Sequence, residues 1–232
     1  MFYLIINQFN TSSIRHCHVT DYGKAQTATP RVAEHASVYG ANGSYDILDG
    51  AFESYERTVV FYVAKLADIS VIINAFQEQN NLIEFGYLPG SFFYADFVDA
   101  TYSPNGPHAW ALEVRLQMQP FRYVKDVQDV VLTGSGTVTN PGTVYSEPVI
   151  VLEGSGDVSL TIGSQVMHLA LDTKATIDCR HKRQNIYDKN GAVKNTLRKR
   201  GPFFEIQPGS SGVAVSGNVR KITIKGNWRY KV

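Results

Sequence analysis

The chain has 232 residues, 44% of them hydrophobic, with 13 Tyr and 12 Phe, enough apolar material for one large or two small packed domains. No apolar run reaches the ~18–20 residues of a membrane span, and the opening MFYLIINQFN lacks the basic start and the cleavage site of a signal peptide. The net charge of +1 conceals an asymmetry, because residues 1–130 carry 8 Lys/Arg against 14 Asp/Glu while residues 131–232 carry 14 against 7. These totals exclude a membrane span and a disulfide scaffold, since Cys17 and Cys179 are the only cysteines. They predict a soluble protein made in a cytoplasm, with free thiols and two halves of different partners.

In chain order, Met1 to Asn10 is rich in β formers and predicts a first strand. Ile14 to Val19 carries His16, Cys17 and His18; in a strand the two imidazoles share a face, a conceivable zinc half-site. A second ligand pair with metal spacing is missing, so a strand with two polar residues outward and Cys17 buried is the preferred reading. Asp21 to Tyr45 is polar and irregular, a long connection or an arm that wraps a neighbour. YDILDGAF then offers Asp49-Gly50 as a hairpin turn, and Arg57 to Ala64 reads as a strand of β-branched and aromatic residues.

Leu66, Ile69, Ile72, Ile73 and Phe76 recur at helical spacing, which predicts one helix over 68–80, capped by Asp68 and stopped at Asn80-Asn81. Its one apolar face is expected to pack on a sheet. LIEFGYLPGSFFYADFVDATYS follows as a hairpin about Pro89-Gly90, carrying Phe85, Tyr87, Phe92, Phe93, Tyr94 and Phe97. So much aromatic surface suits either ordinary core or a strand added to a neighbour's sheet edge. Trp110 to Tyr123 alternates, with Leu112, Val114, Leu116 and Met118 on one face, as a half-buried antiparallel strand does.

Val131 to Pro148, rich in Gly, Thr, Ser and Pro, reads as the boundary, giving domains 1–133 and 134–232. PVIVLEG, DVSLTIG, QVMHLAL, ATIDCRH, PFFEIQPGSSGVAVSG and RKITIKGNWRYKV are then short strands of a sandwich, with a hairpin turn at Asn190-Gly191. The closing strand pairs within this unit or returns to the first.

Reactive constellations are missing from the sequence: it has no phosphate-binding glycine loop, no nucleophile elbow and no H-E-x-x-H or C-x-x-C. Asp46 and Asp49 are two turn aspartates, and Glu84, Asp96 and Asp99 fall on hairpin positions expected to be solvated. The sequence therefore predicts neither catalytic nor metal-binding residues, and no cofactor. A small hydrolase would need an acid pair or triad that is not there. The candidate binding feature is a basic cluster, Arg180, Lys182, Arg183, Lys194, Arg198, Lys199 and Arg200, with Lys189, around the Asn190-Gly191 turn. It suits an anionic polymer, an acidic protein partner or a solvated hairpin. Only Tyr187 lies inside it, which argues against base stacking.

Taken together, YDILDGAF, ERTVVFYVA, the 68–80 helix, LIEFGYLPGSFFYADFVDATYS and ALEVRLQMQPFRYVKD resemble, in order and spacing, the distal tail protein (Dit) family of long-tailed non-contractile bacteriophages. NPGTVYSEPVIVLEGSGDVSLTIG, ATIDCRHKRQNIYDKNGAV and PFFEIQPGSSGVAVSG continue the resemblance through residues 45–232. The resemblance implies a mainly β, two-domain chain: an N-terminal β-sandwich with one helix and a β-hairpin, then a C-terminal galectin-like β-sandwich. It implies a non-enzymatic homo-oligomer, a hexameric ring at the virion tail tip. The ring would join the tail tube protein to the tail-associated tip protein and to receptor-binding or accessory baseplate proteins. DNA would pass through without specific binding, and no membrane would be engaged. On this view Tyr87, Phe92, Phe93, Tyr94 and Phe97 are candidate ring-interface residues, and the basic cluster faces a partner. The other reading is a carbohydrate-binding module contacting the host surface, for which Trp228 and Tyr230 would be the aromatic platform.

Overall fold

The computed structural model describes residues 2–37, 39–40, 42–181 and 183–231. The chain is mainly β and divides into two compact units, residues 1–122 with 231–232, and residues 123–230. The first contains β1 (Leu4–Ile6), β2 (Phe9–Asn10), β3 (Cys17–Asp21), β4 (Pro30–Ala36), β5 (Tyr45–Phe52), β6 (Tyr55–Val63), α1 (Leu66–Asn74), β7 (Asn81–Phe85), β8 (Ser91–Pro104) and β9 (Trp110–Val124). The rest of the chain gives β10 (Val130–Leu132), β11 (Gly136–Asn140), β12 (Val149–Ile162), β13 (Gln165–Leu171), β14 (Lys174–Asp178), β15 (Asn185–Tyr187), β16 (Arg198–Arg200), β17 (Gly209–Lys225) and β18 (Arg229–Lys231).

In the first unit the strand order is β2-β1-β7-β8-β9-β6-β3. The period-2 patterns carry this sheet: β6 buries every second residue, and Val59 and Phe61 pair with Val114 and Leu112 of β9. These residues join Leu4, Ile6, Ile83, Phe85 and Leu116 in one core. The two flanks of the sheet approach each other, since the Val19 N–H donates to the Phe2 carbonyl at 2.8 Å and the Tyr22 hydroxyl to the Tyr3 carbonyl at 3.1 Å. The sheet thereby wraps around its own core.

The helix is shorter than its periodicity predicts. It starts at Leu66, so Asp68 lies in the first turn instead of capping it, where its charge still suits the N-terminal dipole. It stops at Asn74 because the buried Asn81 captures Gln77: the Gln77 N–H donates to Asn81 Oδ1 at 2.7 Å and Asn81 Nδ2 donates to the Gln77 carbonyl at 2.7 Å. Backbone groups that a helical ladder would use are spent on a side chain, and Asn81 opens β7.

Asp49-Gly50 is not a hairpin turn. It is a bulge inside β5, where Val32 faces Leu48 and Pro30 faces Phe52, so three residues, Asp49 to Ala51, oppose one, Arg31. Gly50 takes φ 82° there, and the Asp49 carboxylate holds both the Ala51 N–H and the Arg31 guanidinium. The hairpin in this stretch is β4–β5, a two-stranded ribbon that pairs with no other strand among the described residues.

In the second unit the order is β10-β17-β12-β13-β16, with β11 also on β17, β14 on β12 and β15 on β14. Two pairs of expected short strands are fused into long ones. β12 joins PVIVLEG to DVSLTIG, and β17 joins the two closing strands, each bent at register shifts between Glu153 and Ser159. Such bends let one strand serve both layers of a sandwich around Ile150, Leu152, Leu160, Ile177, Phe204 and Ile224. PFFEIQ contributes only a bridge, Ile206 to Ser146. The Gly- and Thr-rich stretch after Val131 is not a linker: β10 and β11 both pair with β17. The division between the units therefore falls before it, after Arg122.

Candidate assembly surfaces

The least satisfied part of the molecule is the β4–β5 ribbon. In β5 alternate positions would normally face a core, yet all six residues other than Ala51 and Phe52, Tyr45 through Gly50, are exposed. Tyr45 and Ile47 share a face with their cross-strand partners Ala36 and Glu34. Exposure reaches 61% at Tyr45, 49% at Ile47 and 53% at Leu48. A two-stranded ribbon with no buried face is marginal by itself in water. Its sequence signal was the polar stretch Asp21 to Tyr45, read as a long connection or an arm; the strand inside it, RVAEHA, is too short and mixed in polarity to stand out, and YDILDGAF, which follows, was read as its own hairpin.

The entry to this arm is built on a buried cation. Arg57 sits on the core-facing side of β6 and is only 3% exposed. Its Nε donates to the Tyr22 carbonyl at 2.6 Å, and its Nη2 donates to the Gly23 carbonyl at 3.2 Å and to the Tyr87 hydroxyl at 3.0 Å. Its guanidinium lies 4.0 Å from the Phe85 ring centroid. Gly23, at φ 67°, passes so close to β6 that an added Cβ would lie 2.2 Å from the Thr58 carbonyl oxygen. Sequence periodicity placed Arg57 in line with Val59, Phe61 and Val63 but gave no sign of what would hold its charge. On the exit side, the Phe52 ring packs edge-on against Phe121 and lies under the Lys231 ammonium.

The aromatic hairpin does not offer an edge. β7 is flanked by β1 and β8, and β8 over Phe93–Ala95 by β7 and β9, so this part of the hairpin is interior to the sheet. Phe93 belongs to the core, Phe97 packs on Phe76, and Tyr87 is engaged by Arg57, Tyr22 and Phe85. Phe92 and Tyr94 pack on each other on the outer face, half-buried. The expectation of a free edge failed because β1, from the start of the chain, inserts beside β7; strand order is not sequence order here.

The basic cluster separates into two groups. Arg180 is held by the buried Asp178, through Nε at 2.9 Å and Nη2 at 2.6 Å, and Lys194 reaches Asp172 at 3.0 Å. Arg198, Lys199 and Arg200 lie on β16 at the sheet edge, Arg198 over the Phe203 ring and Arg200 3.4 Å from the His168 imidazole. Arg183 and Lys189 are exposed. Lys182 lies outside the described residues. The Asn190-Gly191 turn is present as a longer loop, closed by the Asp188 N–H on the Ala192 carbonyl and by the Asp188 carboxylate on the Asn190 and Ala192 N–H groups.

The remaining chemical candidates are structural. His16 takes φ 59° and precedes β3, so it does not alternate with His18, which stacks on Tyr62. Among the described residues no group of three His, Cys, Asp or Glu side chains is placed to hold a metal ion. Glu84 is buried instead of solvated, Asp96 accepts the Asn80 N–H, and Asp99 pairs with Arg115. Trp228 is buried in the second core and Tyr230 packs against it, so they form no open aromatic platform. No helix among the described residues is long and apolar enough to cross a membrane.

Both cysteines are free. Burial, with Asp68 nearby, pushes the Cys17 thiol up to about 11. Burial, with Asp178 and Glu147 adding, pushes Cys179 up to about 12. At pH 8 both are protonated and poor nucleophiles. A disulfide reagent added to the folded protein is expected to label neither thiol within minutes and both after denaturation; rapid native labelling would show that the thiols are not sheltered.

No family model matches the sequence, and no curated protein matches it. Among solved structures, the chain is similar to the crystal structure of SPP1 Dit (gp 19.1), described as a paradigm of the hub adsorption apparatus in phages infecting Gram-positive bacteria. The TM-score is 0.70 at 14% sequence identity, over 97% of this chain and 98% of that one. The chain thus has a Dit-like fold, mainly β and in two domains.

Proposed function

We propose that this protein is a structural hub subunit of a phage tail tip, which assembles as a six-membered ring. The ring would join the tail tube to the tip and host-recognition proteins, with DNA leaving through its centre. The observation that carries this reading is the end-to-end structural match to a phage hub protein, which leaves almost no residue of either chain outside the shared fold. The β4–β5 arm supports it, because an exposed ribbon with apolar residues is what an assembling subunit presents before it meets a neighbour. The charge division supports it as well: a first unit rich in carboxylates would repel DNA phosphates if it lined the channel. In this reading the chain carries out no reaction and binds no cofactor. The exposed cations of β16 and the Asn190-Gly191 loop meet a partner protein.

The test is the mass of the purified chain by light scattering over a range of concentrations, with negative-stain images of the same samples. Six-fold rings are the expected result. A chain that stays monomeric at the highest concentration would remove ring formation as a property of this protein alone. Acidic residues found on the outer rim of such rings would remove the channel-lining argument.

A further inference from the structure

We infer that, in the ring, the arm of one copy seats its Tyr45/Ile47 face on the opposite end of β6 in the next copy. The inference rests on the hub reading and adds the surface that the arm occupies. In the first unit Val63, the last residue of β6, pairs with both Cys17 and Trp110. Three connections therefore meet at that end of the sheet: the residues before β3, the β6–α1 link and the β8–β9 loop. A shallow cleft of about 460 Å³ lies there between Ala64 and the Pro104–Trp110 loop. Its lining is mixed, with the exposed His108 beside Pro107 and Trp110, and two exposed apolar side chains stand next to it: Tyr102 at 55%, packed edge-on against Trp110, and Leu66 at 47%. Arg15 and Lys65 are exposed at this end, and the one acid near them, Asp68 in the first turn of α1, is half-buried.

The arm is complementary in both respects. It offers Tyr45 and Ile47 on one face, and its acids Glu34, Asp46, Asp49 and Glu53 outnumber the single cation Arg31. The occupant of the cleft is accordingly the arm of a second copy. Position on the chain makes the contact head-to-tail. The arm leaves the sheet beside Tyr55, at the first residue of β6, and the cleft lies past Val63 at its last. At ~3.3 Å per residue the two ends stand on the order of 30 Å apart. The arm is exposed along both strands, so it does not lie back on its own sheet. A subunit with donor and acceptor at opposite ends makes heterologous contacts, which close into a ring or propagate as a filament.

The experiment places cysteine at Ile47 and, in three separate variants, a second cysteine at Leu66, Tyr102 or Pro107, all exposed positions. The native thiols are protonated and sheltered, and an Ile47→Cys single variant reads any contribution they make. Each variant is treated with a bismaleimide under the conditions of the light-scattering measurement and run on a denaturing gel. The expected result is a shift of most of the chain from the monomer band into a ladder for at least one of the three pairs. A fourth pair, Ile47→Cys with Val193→Cys on the second unit, stays monomeric. Rings on the grid with a ladder only from the Val193 pair, or from none, would overturn this contact and leave the hub reading standing. A monomer by light scattering with no ladder would overturn this contact together with ring formation by the protein alone.

Discussion

Replacing Arg229 with alanine is expected to cost the second unit about 3–5 kcal/mol, the range for breaking a buried ion pair by removing one partner. The Arg229 side chain is 6% exposed and that of its partner Glu147 12%, so solvent screens the pair little. Nη1 lies 3.3 Å from the Glu147 carboxylate, Nε donates to the Tyr145 carbonyl at 2.9 Å, and the guanidinium sits 4.4 Å from the Tyr145 ring centroid. The Arg229 backbone carbonyl accepts the Thr143 N–H at 3.0 Å, and the other Glu147 oxygen accepts the His181 N–H at 2.9 Å. The side chain therefore fastens Tyr145 and Glu147 to the closing segment, and through Glu147 to the turn after β14, while its backbone holds Thr143. Alanine leaves a carboxylate in a poorly solvated site with no cation. For a unit of this size the loss corresponds to a fall of on the order of 20 °C in its melting temperature. Circular dichroism should show this transition moving while that of the first unit stays in place. Glu147→Gln combined with Arg229→Met should recover part of the loss, since it removes both charges together. A single-variant loss below ~1 kcal/mol would show the pair to be solvated like a surface ion pair.

How much of this could be read from the sequence differs between the units and has local causes. Alternation in TVVFYV and LEVRLQM set both the strands and their buried faces, because each has one wet side and one dry side. The Pro89-Gly90 turn was legible for the same local reason, with Gly90 at φ 78°. Asp49-Gly50 misled because the same dipeptide serves a hairpin turn and a bulge equally well. What decides between them is the strand opposite, and β4 lies in a segment whose alternation is hidden by charged residues. β12 and β17 looked like two strands each because Gly, Ser and Asp interrupt their apolar runs where the strands bend. The position of the aromatic hairpin depended on β1, more than 70 residues earlier in the chain, and no local pattern records such a pairing. The candidate surfaces were partly legible: composition marked a long connection or arm and a basic cluster. The counter-ions that tie down Arg180 and Lys194, and the cleft beside Trp110, arise only from tertiary register.

Arg57→Ala is expected to have the second large effect, about 3–4 kcal/mol from the first unit and a larger loss of assembly than that figure alone implies. Charged hydrogen bonds contribute ~1.5–3 kcal/mol each and a desolvated cation–π contact ~2, offset by the relief of no longer burying a charge. Arg57 has ring faces and carbonyl oxygens around it where a carboxylate would be the usual partner, so deleting it strands acceptors and no charge. Those acceptors belong to Tyr22 and Gly23, at the start of the segment that runs from β3 towards β4. Without the guanidinium the root of the arm is expected to loosen while most of the sheet keeps its pairing. Limited proteolysis should then cut within residues 24–29 faster than in the parent, at temperatures well below the melt. Arg57→Met separates the two contributions. It keeps the packing on Phe85 but supplies no donor, so it should recover much of the melting temperature and little of the protease resistance. If rings are seen with the parent protein, the methionine variant should form fewer of them at equal concentration. Parent-like proteolysis and parent-like ring formation in both variants would show that the arm is held by something other than Arg57. In the proposed ring one buried residue acts on assembly through a chain of contacts: the cation fixes two carbonyls, the carbonyls fix the direction of the arm, and that direction decides whether a neighbour can be reached.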